Sequence, residues 1–261
     1  MIDFLYPGGK PKALTFSYDD GAVFDRRLTE LFRRCGLKGT FHLNSGRLGG
    51  HFGPMEYIRP DEVRELYRGQ EVACHGVDHL FPDRLSPSGL AHELYGDRCA
   101  LEQLTGAPVT GLSYAFGVTS DAVAAAAQAY GFEYARTVAD TGIFAAPADF
   151  LRWHPTAHHA KLFADSHLTD LFLDPPPYLQ PALFYIWGHS YEFELHEQWE
   201  DMERLCTRLS GRSDIWYATN LEICRYEKAK RALVYDTAGR CVYNPGCIPV
   251  WYRENGEIKT I

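Results

Sequence analysis

Along the chain, short apolar runs alternate with segments whose apolar residues recur every three or four positions. Residues 13–18 are apolar and β-branched and stop at Asp19-Asp20-Gly21, which predicts a buried strand running into a turn. Leu28, Leu31, Phe32 and Cys35 then recur at helical spacing until Gly36. Residues 40–43 predict the next strand. Pro60 opens a helix with Val63, Leu66 and Tyr67 on its apolar face, and Gly69 ends it before a strand at 71–74. Ser86-Pro87 opens a helix through Leu90, Leu94, Leu101 and Leu104 to Gly106, followed by a strand at 109–114 and a turn at Gly117. Ser120 caps an alanine-rich helix over 121–130, and 133–138 reads as extended. A strongly apolar strand at 182–187 stops at Gly188-His189. A helix carrying Leu195, Trp199, Met202, Leu205 and Leu209, a strand at 215–218 and a helix at 221–230 complete the series.

This alternation predicts a largely parallel sheet with both faces covered, either a barrel or an open doubly wound sheet. From Ala232 the pattern changes to short β-rich pieces punctuated by Gly239, Pro245-Gly246 and Asn255-Gly256, which predict hairpins. The expected organisation is one α/β domain over 1–231 with a β-rich extension over 232–261. That extension is expected to pack on the barrel or to join subunits as a homo-oligomer.

Composition narrows the classes. The 261 residues are 46% hydrophobic and 23% charged, as in a folded globular chain large enough for a single barrel. A net charge of -8 argues against nucleic acid as a partner. No basic leader with an apolar run opens the sequence and no stretch reaches the roughly 18 apolar residues of a membrane span, so neither export nor a membrane is expected. The seven cysteines are odd in number, scattered and never in a Cys-x-x-Cys pair, which points to a reducing, cytoplasmic setting.

Polar residues gather where the predicted strands end, the place where parallel α/β folds collect their chemistry. Asp-Asp-Gly is a common turn and helix cap, and two histidines four residues apart arise by chance among eleven. Together they say more. His75 and His79, spaced to share one face of a helical turn, and one carboxylate suffice to hold a divalent cation; the second carboxylate is then free to take a proton from water. His154, His158 and His159 make a dense polar run that reads as loop structure rather than as ligands.

Thr15-Phe16-Ser17-Tyr18-Asp19-Asp20-Gly21 resembles the first motif of the polysaccharide deacetylases, carbohydrate esterase family four, and His75-Gly-Val-Asp-His79 is similar to their second. Gly39-Thr40-Phe41-His42 matches the strand between them, and Ile186-Trp187-Gly188-His189 resembles the fifth motif. The resemblance implies a distorted (β/α)7 barrel and a metal-dependent hydrolase that removes an N-acetyl group from a sugar-containing or other small amide substrate. It implies Asp20, His75 and His79 as metal ligands, Asp19 as general base and His189 as general acid. Zinc suits that ligand set, and cobalt, nickel, manganese and iron are compatible.

Two motifs depart from the family's pattern. Ser113-Tyr114-Ala115-Phe116-Gly117 has serine where the third motif has its arginine, and Asp149-Phe150-Leu151-Arg152-Trp153 has arginine where the fourth has its second aspartate. Arg152 is therefore expected to supply the missing guanidinium to Asp19, and Tyr114, Phe116 and Trp153 to line a sugar-binding groove. A cyclic-amide hydrolase of the same superfamily, a catalytically dead carbohydrate-binding barrel and a non-haem iron oxygenase are the alternative readings.

Overall fold

The structure, a computed structural model, describes residues 2–239 and 241–261. Met1 and Arg240, which fall in the expected segments 1–231 and 232–261, lie outside the described residues. The strands are β1 (Ile2–Leu5), β2 (Lys12–Asp20), β3 (Gly39–Leu43), the β4–β5 hairpin (His51–Phe52 and Met55–Glu56) and β6 (Glu71–Cys74). They continue as β7 (Gly111–Ser113), β8 (Tyr134–Arg136), β9 (Ala157–His158), β10 (Ala182–His189) and β11 (Ile215–Tyr217), then β12 (Val234–Tyr235), β13 (Cys241–Tyr243), β14 (Trp251–Glu254) and β15 (Glu257–Thr260).

Seven parallel strands run in the order β8-β7-β6-β3-β2-β10-β9, with β11 paired to the start of β2. They curl into a distorted (β/α)7 barrel, and a parallel bridge joins Arg136 of β8 to Trp153, in the segment that leads to β9. All nine residues of β2 are buried, yet its two faces differ. Leu14, Phe16 and Tyr18 join the main apolar cluster with Leu28, Leu31 and Phe32 of the helix Asp25–Cys35. Thr15, Ser17 and Asp19, on the alternate face, enter a polar barrel interior.

That interior is closed at its lower end by the helix Asn220–Arg231, which starts inside the barrel. Thr15 Oγ1 donates to Asn220 Oδ1 at 2.8 Å, and the Asn220 N–H donates to Thr40 Oγ1 at 3.0 Å. Glu71 accepts from the Thr40 hydroxyl at 2.8 Å, the Tyr134 hydroxyl at 2.7 Å and the Leu221 N–H at 2.9 Å.

The C-terminal segment joins β1 in the antiparallel sheet β1-β14-β15, whose β14–β15 hairpin turns at the expected Asn255-Gly256 pair, both residues at positive φ. Trp251 N–H donates to the Tyr226 hydroxyl, which itself donates to the Leu5 carbonyl, so this sheet fastens to the same helix that plugs the barrel. Recruitment of the N-terminal strand β1 into that sheet is a long-range pairing that no local pattern announces.

Candidate active site

The parallel register carries polar residues to one level at the carboxyl ends of the strands. Asp19 of β2 stands beside His189 of β10 on one side and His42 of β3 on the other, and Ser113 of β7 beside Arg136 of β8. Asp20, at the last position of β2, has φ 80°, and His79 and Phe116 also lie at positive φ. Three left-handed non-glycine residues around one point are strain of the kind that collects at functional sites.

His75 and His79 do converge, but not on a helical turn: residues 75–80 are a loop after β6. The loop is gripped from behind by a long helix with a π turn at His92–Gly96. Glu93 and Asp97 project from that turn. Asp97 accepts from the N–H groups of Ser45, His75 and Gly76 at 2.9 to 3.0 Å, and Glu93 from those of Asp78 and Leu80. Asn44 Nδ2 donates to the His75 and Gly76 carbonyls at 2.8 and 2.9 Å. Gly76 permits the approach, since its φ is 89° and a Cβ there would stand 2.6 Å from Glu93 Oε2.

His75 Nδ1 lies 2.9 Å from the Ser113 carbonyl, a contact only an N–H can make, so in the neutral ring Nε2 is bare. That nitrogen lies 3.7 Å from Asp20 Oδ1, and His79 Nε2 is likewise 3.7 Å from it. Asp20 Oδ1 is buried and has no hydrogen-bond partner. Two imidazole nitrogens around an orphaned carboxylate oxygen, one of them fixed as a bare donor by its backbone contact, fit a divalent cation.

Asp19 is anchored differently. Arg136 NH2 donates to its Oδ2, and the Ser113 hydroxyl donates to Oδ1 at 3.2 Å. Against a burial that would raise it, the Arg136 guanidinium and then His75, His42 and His189 hold this carboxyl well below the ordinary carboxylate range. Arg136 is fully buried, lies over the Trp187 ring at 4.6 Å and donates to the Thr137 carbonyl. His189 is also shifted: burial alone would lower its pKa, but the carboxylates of Glu192, Asp19 and Asp20 raise it. Its Nδ1 is 3.3 Å from Glu192 Oε1.

Three expected roles need correction. Arg152 does not reach Asp19; it pairs with Asp121 at 2.6 Å and Asp149 at 2.7 Å on the barrel's outer rim, two carboxylates closer than the site. Trp153 is 1% exposed and packs edge-on against Tyr134, Phe150 and Tyr185, so it fills the core rather than a groove. Tyr114 is 1% exposed and spends its hydroxyl on the Leu151 carbonyl. Phe116 does stand at the mouth, half exposed, stacked on Phe81 at 3.8 Å and edge-on to His79 at 4.4 Å.

Arg136 is the residue that motif reading missed. Its signal was an arginine inside the extended run 133–138, because a guanidinium on a strand buried on both faces must face a carboxylate. Concavity does not find the site either. A cavity of about 470 Å³ opens instead at the other end of the barrel, between Arg64, Gln70 and Thr219.

Fold and site together define a parallel α/β barrel with a carboxylate–imidazole centre at its strand ends. Residues 7–135 match the polysaccharide deacetylase family. The fold is similar to that of a Mycobacterium smegmatis protein assigned as a polysaccharide deacetylase, with 16% identity over 94% of this chain and 98% of that one and a TM-score of 0.66. It is also similar to Puue allantoinase, with 13% identity over 84% and 91% and a TM-score of 0.60. The match to a polysaccharide deacetylase from Bacillus cereus, at 19% identity and a TM-score of 0.46, covers 53% of this chain and spans only 44% of that one. At these identities the likeness is one of fold. No curated protein matches the chain.

Proposed function

We propose that this protein is a hydrolase that removes an N-acetyl group, or opens another amide, on a small sugar-containing substrate, with Asp20, His75 and His79 holding one divalent cation. The observation that carries the reading is the buried, unpartnered Asp20 Oδ1 between two imidazole nitrogens, with the anchored carboxylate of Asp19 next to it in sequence. Bound there, a cation such as zinc would supply Lewis acidity toward a water and an amide carbonyl.

The chain's own residues do the rest. Asp19, anionic and fixed from two sides by Arg136 and Ser113, orients a water and takes its proton as the water oxygen adds to the carbonyl carbon. The Phe116 N–H, in the turn after β7, is the candidate donor to the oxyanion. His189, whose pKa the carboxylates of Glu192, Asp19 and Asp20 raise against the lowering effect of its burial, gives a proton to the departing nitrogen as the C–N bond breaks, leaving acetate and an amine. Phe116 and Phe81 present a flat apolar wall at the mouth, suited to the face of a sugar ring.

Metal analysis of the purified chain combined with acetate release from a panel of N-acetylated sugars tests this. The expected result is release that stops with a chelator and returns with zinc or cobalt. A metal-loaded protein that binds N-acetyl sugars and releases no acetate would sink it and support the dead binding barrel. A second reading, opening of a cyclic amide, draws on the fold's likeness to an allantoinase; turnover of allantoin-like ureides without acetate release would favour it.

A further inference from the structure

Arg47, in the loop after β3, spans the seam between the two segments that carry Asp20 and His79. Its Nη2 donates to the carbonyl of Asp78, the residue before His79, at 3.0 Å, and its Nη1 donates to the Tyr57 hydroxyl at 3.2 Å. Tyr57 is bridged to Ala22, just past Asp20, and the neighbouring Ile58 N–H donates to the Gly21 carbonyl at 3.0 Å. The Gly46 N–H donates to the Val77 carbonyl at 3.0 Å, so the Arg47 loop lies directly against the loop of His75 and His79. Burial and then the His75 imidazole hold His79 below its ordinary pKa, and the Arg47 charge acts in the same direction, which puts the guanidinium within electrostatic reach of the cluster.

Every group that holds this guanidinium is neutral. Its centre lies 4.8 Å from the Phe52 ring and 5.9 Å from the Tyr57 ring, and among the described residues no carboxylate comes within ion-pair distance of it. Asp78, whose carbonyl it grips, turns its carboxylate to His92 at 3.8 Å. Acidic side chains outnumber lysine and arginine 34 to 26 in this chain, so counter-charges are not scarce. Arg136, the other arginine beside the cluster, is fully buried against Asp19; Arg47 is half-buried and keeps N–H groups on Nε, Nη1 and Nη2 beyond the two already engaged. Two hydrogen bonds and a stacked ring fix its plane, so an incoming anion meets donors that are already ordered.

We infer that Arg47 is a specificity-determining residue that takes a carboxylate or phosphate carried by the substrate, which makes the preferred substrate an acidic N-acyl sugar rather than a neutral one. The inference rests on the reading of the Asp20 centre as the place where the amide is hydrolysed.

The test is titration calorimetry of the zinc-loaded full chain with N-acetylglucosamine and three acidic counterparts: its 1-phosphate, its 6-phosphate and the corresponding uronic acid. At least one acidic sugar is expected to bind wild type about 10-fold or more tighter than N-acetylglucosamine, the uronic acid and the phosphates showing which anion is taken. Arg47→Gln is expected to bring that ratio to about one, and Arg47→Lys to restore part of it. Loss of a mere brace between loops would weaken acidic and neutral sugars alike and leave the ratio standing. No acidic preference in wild type, or a preference that survives Arg47→Gln because the cation alone produces it, overturns the inference. Acetate release on the same panel separates it from the deacetylase reading. Release without acidic preference sinks the role of Arg47 alone, and acidic preference without release from any sugar sinks the deacetylase reading alone.

Discussion

The two ends of the barrel interior each hold a carboxylate, and they treat it in opposite ways. At the lower end Glu71 takes three hydrogen bonds, from Thr40, Tyr134 and the Leu221 N–H, so both of its oxygens are occupied. At the upper end Asp20 leaves one oxygen buried and bare, with a nitrogen of His75 and of His79 in front of it. A carboxylate whose oxygens are both hydrogen-bonded is a structural part of the fold; one with a bare oxygen, held by a strained backbone, is free to take a further partner.

The largest effect is expected from Asp20→Asn. Removing the anion should abolish cation binding at that cluster and lower kcat/KM for the active substrate on the order of 1,000-fold or more, with folding retained by circular dichroism. Unchanged turnover would place the chemistry elsewhere. Arg136→Ala should come next, because it strands the buried Asp19 charge. A loss of about 3–5 kcal/mol in urea unfolding is expected, together with a fall in kcat of roughly 100-fold. Arg152→Ala, which touches only rim carboxylates, should leave turnover within about twofold of wild type. Equal effects of the two arginines would erase the distinction.

Asp25, near the upper end, isolates burial from cation binding. Burial pushes its carboxyl up to about 7, with the Tyr67 hydroxyl donating to it at 2.6 Å. Between about pH 4 and pH 7 the folded chain keeps a proton that the unfolded chain has lost. This group's contribution to stability therefore falls as pH rises through that window, and its full penalty stands above pH 7. Asp25→Asn keeps an acceptor for Tyr67 and should gain on the order of 3 kcal/mol at pH 8 relative to pH 4, measured by unfolding at both. A gain equal at both pH values would rule out the raised carboxyl. At the satisfied end the effect is expected on stability alone. Glu71→Gln leaves one oxygen for three donors and should cost about 1–3 kcal/mol with kcat/KM unchanged.

Much of the fold was legible because its signals are local. Gly36 and Gly106 end their helices in the left-handed conformation, Ser86 and Ser120 cap theirs, and Asn255-Gly256 turns a hairpin. The Asp20, His75 and His79 set was legible too, since strand ends and motif order marked it. The histidine pair does not share a helical turn, however: a Gly76-centred loop braced by Glu93 and Asp97 brings the rings together. Arg152 misled for a related reason. A motif names a residue type, and which carboxylate an arginine meets depends on the strand it stands on.

By itself, the sequence determined the alternating elements, their caps and turns, and the chemical character of each strand end, because propensity, period and side-chain type act within a few residues. Tertiary structure alone decided that Arg136 rather than Arg152 holds Asp19, that Trp153 and Tyr114 are core, and that His158, His189 and Glu192 meet. Those outcomes rest on contacts between segments far apart in the chain; for Arg136 and His189 the contact is set by parallel register, and a shift of one position would have turned either side chain to the opposite face.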